Sequence, residues 1–302
     1  MNQMALATTM NTHTTPILLL SLALLAGGCG QKGPVAMPPE FKTGTVAQIQ
    51  SLLDQNPALL KSQDQTGNTP LHLAAARGDA ALVELFLAKK ANVHALNSVA
   101  QTPLHRAAIA TNTAAVKLLL AAHADVNAKD AQGSVPLHGA VRKQNVENVK
   151  LLLASQANVN ATDTFGRSPF FVAATGGNHE VVKLLLEGKA DPLCQDQNGI
   201  TPLHLLAGGG YLEALKLLVA TKVDVNVREQ GGNTPLHFAA QGGQPQVAEF
   251  LLANKADPSL TNQAGLTPLK TAEKVDPRDK NEGHDAVAKV LRQHAADEKP
   301  KQ

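Results

Sequence analysis

Histidine is the residue of this chain with the widest chemistry, since an imidazole can bind a metal or move a proton near neutral pH. Five of the eleven histidines recur at multiples of 33 residues: His72, His105, His138, His204 and His237. A metal or catalytic site needs side chains that converge on one point, whereas this spacing places one ring in each of several structural units. We therefore expect each ring to hydrogen-bond to the backbone of a neighbouring hairpin.

The remaining reactive residues do not form a recognisable catalytic pattern. The His-Glu pair at 179–180 lacks the second histidine of a zinc-protease helix, and the triple glycine at 208–210 lacks the lysine of a phosphate loop. Two cysteines, Cys29 and Cys194, are too few for a zinc site. The sequence thus predicts a protein that is not an enzyme and that uses no metal or other cofactor.

Charge and composition argue against nucleic acid as a partner. The net charge is +2, aromatic residues make up 3% of the chain, and there is no tryptophan. Proteins that bind nucleic acid usually show a basic footprint or aromatic rings for base stacking. We expect no nucleic-acid binding.

Seven prolines mark the elements that position these histidines. Thr69 before Pro70 favours a helix start, because the hydroxyl can cap the helix and a proline at the first helical position loses no needed hydrogen bond. The apolar run at 82–87 predicts a second helix that is covered on several sides. One such pair cannot bury itself, so the pattern predicts stacked units. Each proline follows the previous one by 33 residues: Pro70, Pro103, Pro136, Pro169, Pro202, Pro235 and Pro268.

The motif Thr-Pro-Leu-His, found at 69–72, 102–105, 201–204 and 234–237, together with the 33-residue period, resembles the ankyrin repeat. The resemblance implies an all-α solenoid, curved and elongated, in which helix-turn-helix units with β-hairpin loops are stacked. It also implies that a protein partner, whose identity is unknown, binds to the hairpin tips and to the groove-facing end of the first helices. We expect a monomer.

The repeats set the domain boundaries. We predict an ankyrin repeat domain at 42–297 and a free tail at 298–302. Within the domain, 42–63 is a half-repeat cap without its first helix, and the last unit ends in a polar helix with Val287, Val290 and Leu291 on one face. The seven repeats begin near residues 64, 97, 130, 163, 196, 229 and 262.

Each repeat has two turns that favour a residue with a left-handed backbone conformation, usually glycine. A glycine stands two residues before the threonine position in six repeats, whereas Ala100 replaces it in the second, so we expect that turn to be adjusted. After the second helix, where the family has glycine, either the turn is modified or the stack tolerates a strained residue. The residues at that position are Lys90, His123, Gln156, Lys189, Lys222 and Lys255.

The N-terminus has the features of a secretion signal. Residues 1–28 contain no Asp, Glu, Lys or Arg, and the apolar run at 17–26 is too short to span a bilayer. The sequence Leu-Ala-Gly-Gly-Cys at 25–29 resembles a bacterial lipoprotein cleavage site, which implies that Cys29 is acylated. Gly30, which is not aspartate, implies the outer membrane, facing the periplasm. With acylation at Cys29, residues 1–28 are the signal peptide and 29–41 are a lipidated N-terminus and flexible tether. The alternative is an ordinary cleaved signal, or a true start at Met4 or Met10.

The groove-facing column of the first helices changes from basic residues in the early repeats to glycines in the later ones. We expect a groove that is basic at one end, to meet an acidic patch, and bare at the other, to admit a bulky segment. Phe165 and Arg167 lie between these ends and are of the residue types that usually anchor interfaces. The candidate partner-binding residues are Arg77, Arg142, Lys143, Phe165, Arg167, Gly176, Ile200, Gly209 and Gly242.

The sequence therefore predicts a non-catalytic protein-protein interaction module that is tethered to the bacterial envelope. Its contact with the membrane would be the lipid at Cys29 alone. Two alternatives remain at this point. The protein is an accessory or protective subunit of a periplasmic enzyme, or it is a secreted effector that binds host proteins.

Overall fold

The computed structural model describes residues 36–275 and 282–297. The predicted signal peptide, the acylation site at Cys29, most of the tether and the tail at 298–302 lie outside these residues. The described residues contain no strand, and one 3-10 turn, Pro57–Lys61, follows α2. The helices are α1 Glu40–Thr43, α2 Val46–Gln55, α3 Pro70–Arg77, α4 Ala80–Ala88, α5 Pro103–Ala108, α6 Thr113–Ala121, α7 Pro136–Arg142, α8 Val146–Ala154, α9 Pro169–Gly176, α10 His179–Glu187, α11 Pro202–Gly208, α12 Leu212–Val219, α13 Pro235–Gln241, α14 Pro245–Ala253, α15 Pro268–Glu273 and α16 Glu282–Asp297.

The helices form two layers within the repeat domain. We number the repeats 1 to 7, so that repeat 1 contains α3 and α4 and repeat 7 contains α15 and α16. Each first helix contacts the first helix of the next repeat, and the second helices α4, α6, α8, α10 and α12 contact one another in the same order, as α14 contacts α16. Proline occupies the first turn of every first helix, as predicted. The core lies between the two layers, where residues such as Leu71, Leu104 and Leu137 are almost fully buried.

The N-terminal cap begins earlier than the sequence indicated. Phe41, which we placed in the flexible tether, is 2% exposed and its ring lies 5.8 Å from that of Phe86. It belongs to α1, a single turn that contacts α3 and so takes the place of the missing first helix. The predicted boundary at residue 41 is therefore wrong, because one large aromatic side chain supplies the apolar surface that a whole helix supplies elsewhere.

The left-handed turns are largely as predicted. The six tip glycines have φ between 70° and 78°. Ala100 also has a positive φ, 57°, so our expectation of an adjusted turn is wrong. The same tip contains Asn97, whose side chain accepts the amides of Val99 and Gln101 as the equivalent residues of other tips do. These bonds hold the turn even though alanine disfavours it.

The stack also tolerates non-glycine residues after the second helices. Lys90 has φ 63°, and the five equivalent residues lie between 60° and 69°. The next amide, that of Ala91, donates to the Phe86 carbonyl at 2.9 Å, which closes the end of α4 as in a Schellman motif. The turn is thus unmodified, and its hydrogen bonds offset a strain of roughly 1 kcal/mol per residue.

The C-terminal helix α16 covers the end of the stack. It packs on α14 and α15 and buries Val287 and Leu291, two of the three residues predicted to share its apolar face. Val290 is half-buried and packs against the same core. Within the part of the chain that the structure describes, no helix is both long and apolar enough to cross a membrane.

Candidate protein-binding surface

Seven turns form one row along the repeats, and we call this row the tips. Each is held by a side chain that accepts two backbone amides, two and four residues further on, at 2.7–3.1 Å. Sequence reasoning missed these residues, although an acid or amide three positions before each tip glycine was the signal. They are Asp64, Asn97, Asp130, Asp163, Asp196, Glu229 and Asn262.

The carboxylates of the tips accept hydrogen bonds within the turns in which they lie. Burial alone would raise the pKa of Asp64, but the hydrogen bonds from Thr66 and Asn68 lower it below its usual value. The pKa of Asp163 is lowered in the same way, by Arg167 and by tip amides, against the effect of burial. These groups therefore fix the backbone of the tips and are not available as ligands.

Backbone hydrogen bonds join each tip to the next. The amide of Ser98 donates to the Thr66 carbonyl at 3.0 Å, and the same bond recurs at each later tip, at 2.9–3.3 Å. The longest of them, 3.3 Å, runs from Gln197 to Phe165. Because the tips are tied to one another, the side chains that they expose stand on a continuous support.

The five motif histidines are structural, as predicted. In His72, Nδ1 accepts the Thr69 amide at 3.2 Å, and Nε2 lies 2.8 Å from the Gln101 carbonyl of the next tip. Since Nδ1 accepts, the proton is on Nε2, which donates to that carbonyl. His105, His138, His204 and His237 repeat this geometry, with Nε2 to oxygen distances of 2.9–3.1 Å.

Burial lowers the pKa of all five rings below the usual value for histidine, because it disfavours the charged form. Each ring is therefore neutral near pH 7, with both nitrogens engaged. Across residues 36–275 and 282–297, no group of three or more His, Cys, Asp or Glu side chains is placed to hold a metal ion.

Phe165 is the large aromatic side chain exposed on the tips. Its exposed fraction is 52%, and the Arg167 guanidinium carbon lies 4.6 Å from the centre of its ring. Arg167 is itself held by Asp163, with Nε at 2.9 Å and Nη2 at 2.7 Å from Oδ2. Of the two predicted anchors, Phe165 is thus presented to solvent and Arg167 supports it, while Ile200, on the next tip, is half-buried.

The basic candidates on the first helices differ in whether their side chains have hydrogen-bond or ion-pair partners. Arg77 donates to the Phe41 and Lys42 carbonyls, at 3.5 and 3.0 Å, and lies 3.5 Å from Asp79. It therefore attaches the cap to repeat 1. Arg142 and Lys143, at the end of α7, are exposed, and within the described part of the chain neither has an ion-pair or hydrogen-bond partner for its side chain.

A family model described as "Ankyrin repeats (3 copies)" matches this chain five times, over 42–130, 77–163, 137–228, 170–262 and 207–301. Together these matches cover most of the chain. The chain belongs to the ankyrin repeat family. The predicted family and the all-helical solenoid fold are thereby confirmed.

Among solved structures, the human ASB11 ankyrin repeat domain is similar to this chain, with a TM-score of 0.67 and 25% sequence identity. The similarity covers 75% of this chain and 98% of that domain. No curated protein sequence matches significantly. The ankyrin repeat fold is typically a non-catalytic scaffold for protein-protein interaction, and the coarse functional class of this chain follows from it.

The later ankyrin repeats have glycines for packing reasons that the sequence alone did not reveal. A Cβ at Gly209 would overlap the ring of Tyr211, and a Cβ at Gly242 would overlap the Gly208 carbonyl oxygen. A Cβ at Gly176 would come within 2.7 Å of the Gln144 amide nitrogen. The expected bare end of the groove is therefore partly covered by side chains of the chain itself, and partner binding at these glycines stays a prediction.

Arg106, in α5 of repeat 2, is a groove residue that the sequence reasoning missed. It occupies the position of Leu73 and Leu205 in other ankyrin repeats and is half-buried. Its Nε is shielded from solvent, and within the described residues that atom has no hydrogen-bond partner. The signal was visible in the sequence, since a charge replaces an apolar residue at a fixed position of the repeat.

Cys194 is a free, partly buried cysteine. The Ser168 hydroxyl lies 3.2 Å from its sulfur and donates to it. Burial raises the pKa of the thiol to about 11. Because the thiolate is the reactive form, this cysteine is inert near neutral pH.

Proposed function

We propose that this ankyrin repeat protein is a binding module of the bacterial envelope, held there by acylation of Cys29, and that it binds its protein partner through the tips and the adjoining groove. The observation that carries the binding proposal is the state of Phe165. An aromatic ring that is 52% exposed is held in place by an arginine, which is in turn fixed by a buried carboxylate.

The energetic reason is preorganisation. An anchor that is already fixed loses little conformational freedom when a partner covers it, so more of the burial energy appears as affinity. Aromatic side chains are also the residues most often found at the energetic centre of interfaces. The tips support the proposal because their bonds to one another make this region rigid.

The test is affinity capture from an envelope extract of the source organism with the full chain as bait. We expect one abundant protein to be captured by the parent and lost with Phe165→Ala. Leu193→Ala is the matched control, because Leu193 is 60% exposed in the same repeat but lies off the tips. Equal capture by the parent and Phe165→Ala would show that the tip is not the anchor. Fixed stoichiometry of the captured pair would favour an accessory subunit of a periplasmic enzyme.

Anchoring is tested separately. Two or more acyl chains hold a protein at a membrane, whereas one chain gives only marginal binding. We expect palmitate labelling that depends on Cys29, and release of Cys29→Ala into the soluble fraction. Labelling that persists in Cys29→Ala, or an unlabelled parent, would remove the lipoprotein proposal and leave an ordinary secreted protein, as an effector would be.

A further inference from the structure

We infer that the segment bound in the groove is an acidic polypeptide, with carboxylates over repeats 2 and 3 and apolar side chains over repeats 5 and 6. This inference rests on the proposed function, since it names the chemical class of partner for that groove. The first-helix face is defined here as the residues three, six and seven positions after each motif proline. In the described residues, this face contains cations but no carboxylate.

The cations of repeats 2 and 3 lack counter-charges. Arg77 is committed to the cap, but Arg106, Arg142 and Lys143 have no ion pair within the described part of the chain. They follow one another along two adjacent first helices, α5 and α7. Like charges held together raise the free energy of the unbound protein, and a partner's carboxylates relieve this repulsion.

The tips next to these cations do not supply the missing charge. Asp130 accepts two backbone amides at 2.9 Å, and Asp163 accepts two amides and Arg167. Their oxygens are therefore occupied by the turns. Neither carboxylate forms an ion pair with Arg106, Arg142 or Lys143, which leaves these cations open to the carboxylates of a second molecule.

The same face is apolar further along, which distinguishes a polypeptide from a phosphate or a lipid headgroup. Leu205 and Phe238 are half-buried, and the Phe238 ring lies 3.5 Å from the place of a Cβ at Gly208. An anion alone would use only the cations of repeats 2 and 3. A chain that also covers Leu205 and Phe238 buries apolar surface there.

The length of the segment follows from helix packing. Neighbouring helices lie about 8–10 Å apart, so the four steps from repeat 2 to repeat 6 span roughly 35 Å. An extended chain covers about 3.3 Å per residue, and about 11 residues would therefore reach from Arg106 to Phe238.

The experiment is selection of a phage-displayed library of random 16-residue peptides against the full chain at low ionic strength. We expect the selected peptides to be rich in Asp and Glu at one end and in apolar residues at the other. A synthetic peptide from this selection should bind about tenfold more weakly to the triple variant Arg106→Leu, Arg142→Gln, Lys143→Gln, since three ion pairs with the peptide are lost. Leucine is chosen for Arg106 because Leu73 and Leu205 occupy that position in other repeats.

The control is Lys117→Gln, Lys183→Gln, Lys216→Gln, which removes the same charge from second helices. Peptide affinity should then stay within about twofold of the parent. Equal weakening by both triple variants, or selected peptides without acidic enrichment, would overturn the inference. If such neutral peptides still require Phe165, the proposed protein-binding function stands and only the acidic class is wrong. Vesicles of phosphatidylglycerol that bind through Arg142, with no peptide selected, would assign the cations to a lipid surface instead.

Discussion

The interface between repeats 3 and 4 and the interface between repeats 4 and 5 are built from equivalent positions but different chemistry. At the first, His138 donates to the Arg167 carbonyl at 3.0 Å. Asn160 donates to the Lys189 carbonyl at 3.3 Å and accepts the Asp191 amide at 2.9 Å. At the second, the positions of His138 and Asn160 are taken by Phe171 and Leu193, which have no polar group for such bonds.

Packing replaces hydrogen bonding at the interface between repeats 4 and 5. Phe171 is 5% exposed, and the Tyr211 ring closes over Gly177 and Gly209. The hydrogen bond from the Tyr211 hydroxyl to the Thr175 carbonyl is long, at 3.5 Å. A crevice of about 230 Å³ remains beside Leu193.

A second crevice lies at one of the other positions where this asparagine is replaced. Lys61 takes that position between the cap and repeat 1, and a crevice of about 290 Å³ lies beside it. The stability of a repeat stack is approximately the sum of its units and its nearest-neighbour interfaces. The comparison therefore predicts that the interface between repeats 4 and 5 is less stabilised by hydrogen bonds than the interface between repeats 3 and 4.

Lowering the pH is expected to produce the largest difference in stability between the two interfaces. Burial lowers the pKa of five motif histidines in the folded protein, so above about pH 6.5 both the folded and the unfolded chain are neutral there and no stability is lost. Below that value the unfolded chain binds protons first, and stability falls until the folded pKa is passed. The limiting slope is about 1.4 kcal/mol per pH unit for each proton bound.

Native-state hydrogen exchange at pH 7 and pH 5, corrected for the intrinsic rate, measures this effect. We expect the Thr164 amide, at the interface that contains His138, to lose more protection than the Gln197 amide, at the interface that contains Phe171. Asp163 does not interfere, because hydrogen bonds lower its pKa and it lies in the tip between the two compared interfaces. Equal loss of protection at Thr164 and Gln197 would contradict the assignment of acid sensitivity to the histidines.

The next largest effect on stability is expected when the interface between repeats 3 and 4 is given the phenylalanine of the interface between repeats 4 and 5. His138→Phe removes the acceptor of the Val135 amide and the donor to the Arg167 carbonyl. The Val135 amide is left without a partner, while the Arg167 carbonyl keeps only the Asp163 amide at 3.0 Å. We expect the free energy of unfolding in urea to fall by about 1–3 kcal/mol. His94→Phe is the control, since His94 is an exposed histidine in a loop, and it should change stability by less than about 0.5 kcal/mol. A loss below about 1 kcal/mol for His138→Phe would mean that the hydrogen bonds of the motif histidines contribute little to stability.

The repeat pattern of the sequence was sufficient to predict the helices and the role of the histidines. Each of these depends on one repeat and its nearest neighbour, and the period of 33 residues supplies that neighbour. For residues such as Lys90, the sequence left two alternatives open, a modified turn or a tolerated strain, and the positive φ in the structure decides for the second.

Features that depend on an exception to the period were harder to predict. Phe41 replaces a helix by one side chain, and the tip of Ala100 is held by a neighbouring asparagine. Gly209 looked like an open groove, but Tyr211 fills the space from the next turn. In each case the explanation is a contact made by one side chain, which residue type and spacing alone do not specify.

The smallest predicted effect comes from restoring the missing asparagine. In Leu193→Asn, the new side chain should donate to the Lys222 carbonyl and accept the Asp224 amide, as Asn160 does with Lys189 and Asp191 one repeat earlier. Because the site is exposed, we expect a gain of only about 0.5–1 kcal/mol in the free energy of unfolding. Leu193→Ala separates this gain from the removal of an exposed leucine and should be close to neutral. The decisive observable is slower exchange of the Asp224 amide in Leu193→Asn alone. If Asp224 exchanges at the same rate in both variants, the crevice is too wide for the asparagine bond, and packing rather than hydrogen bonding sets the strength of this interface.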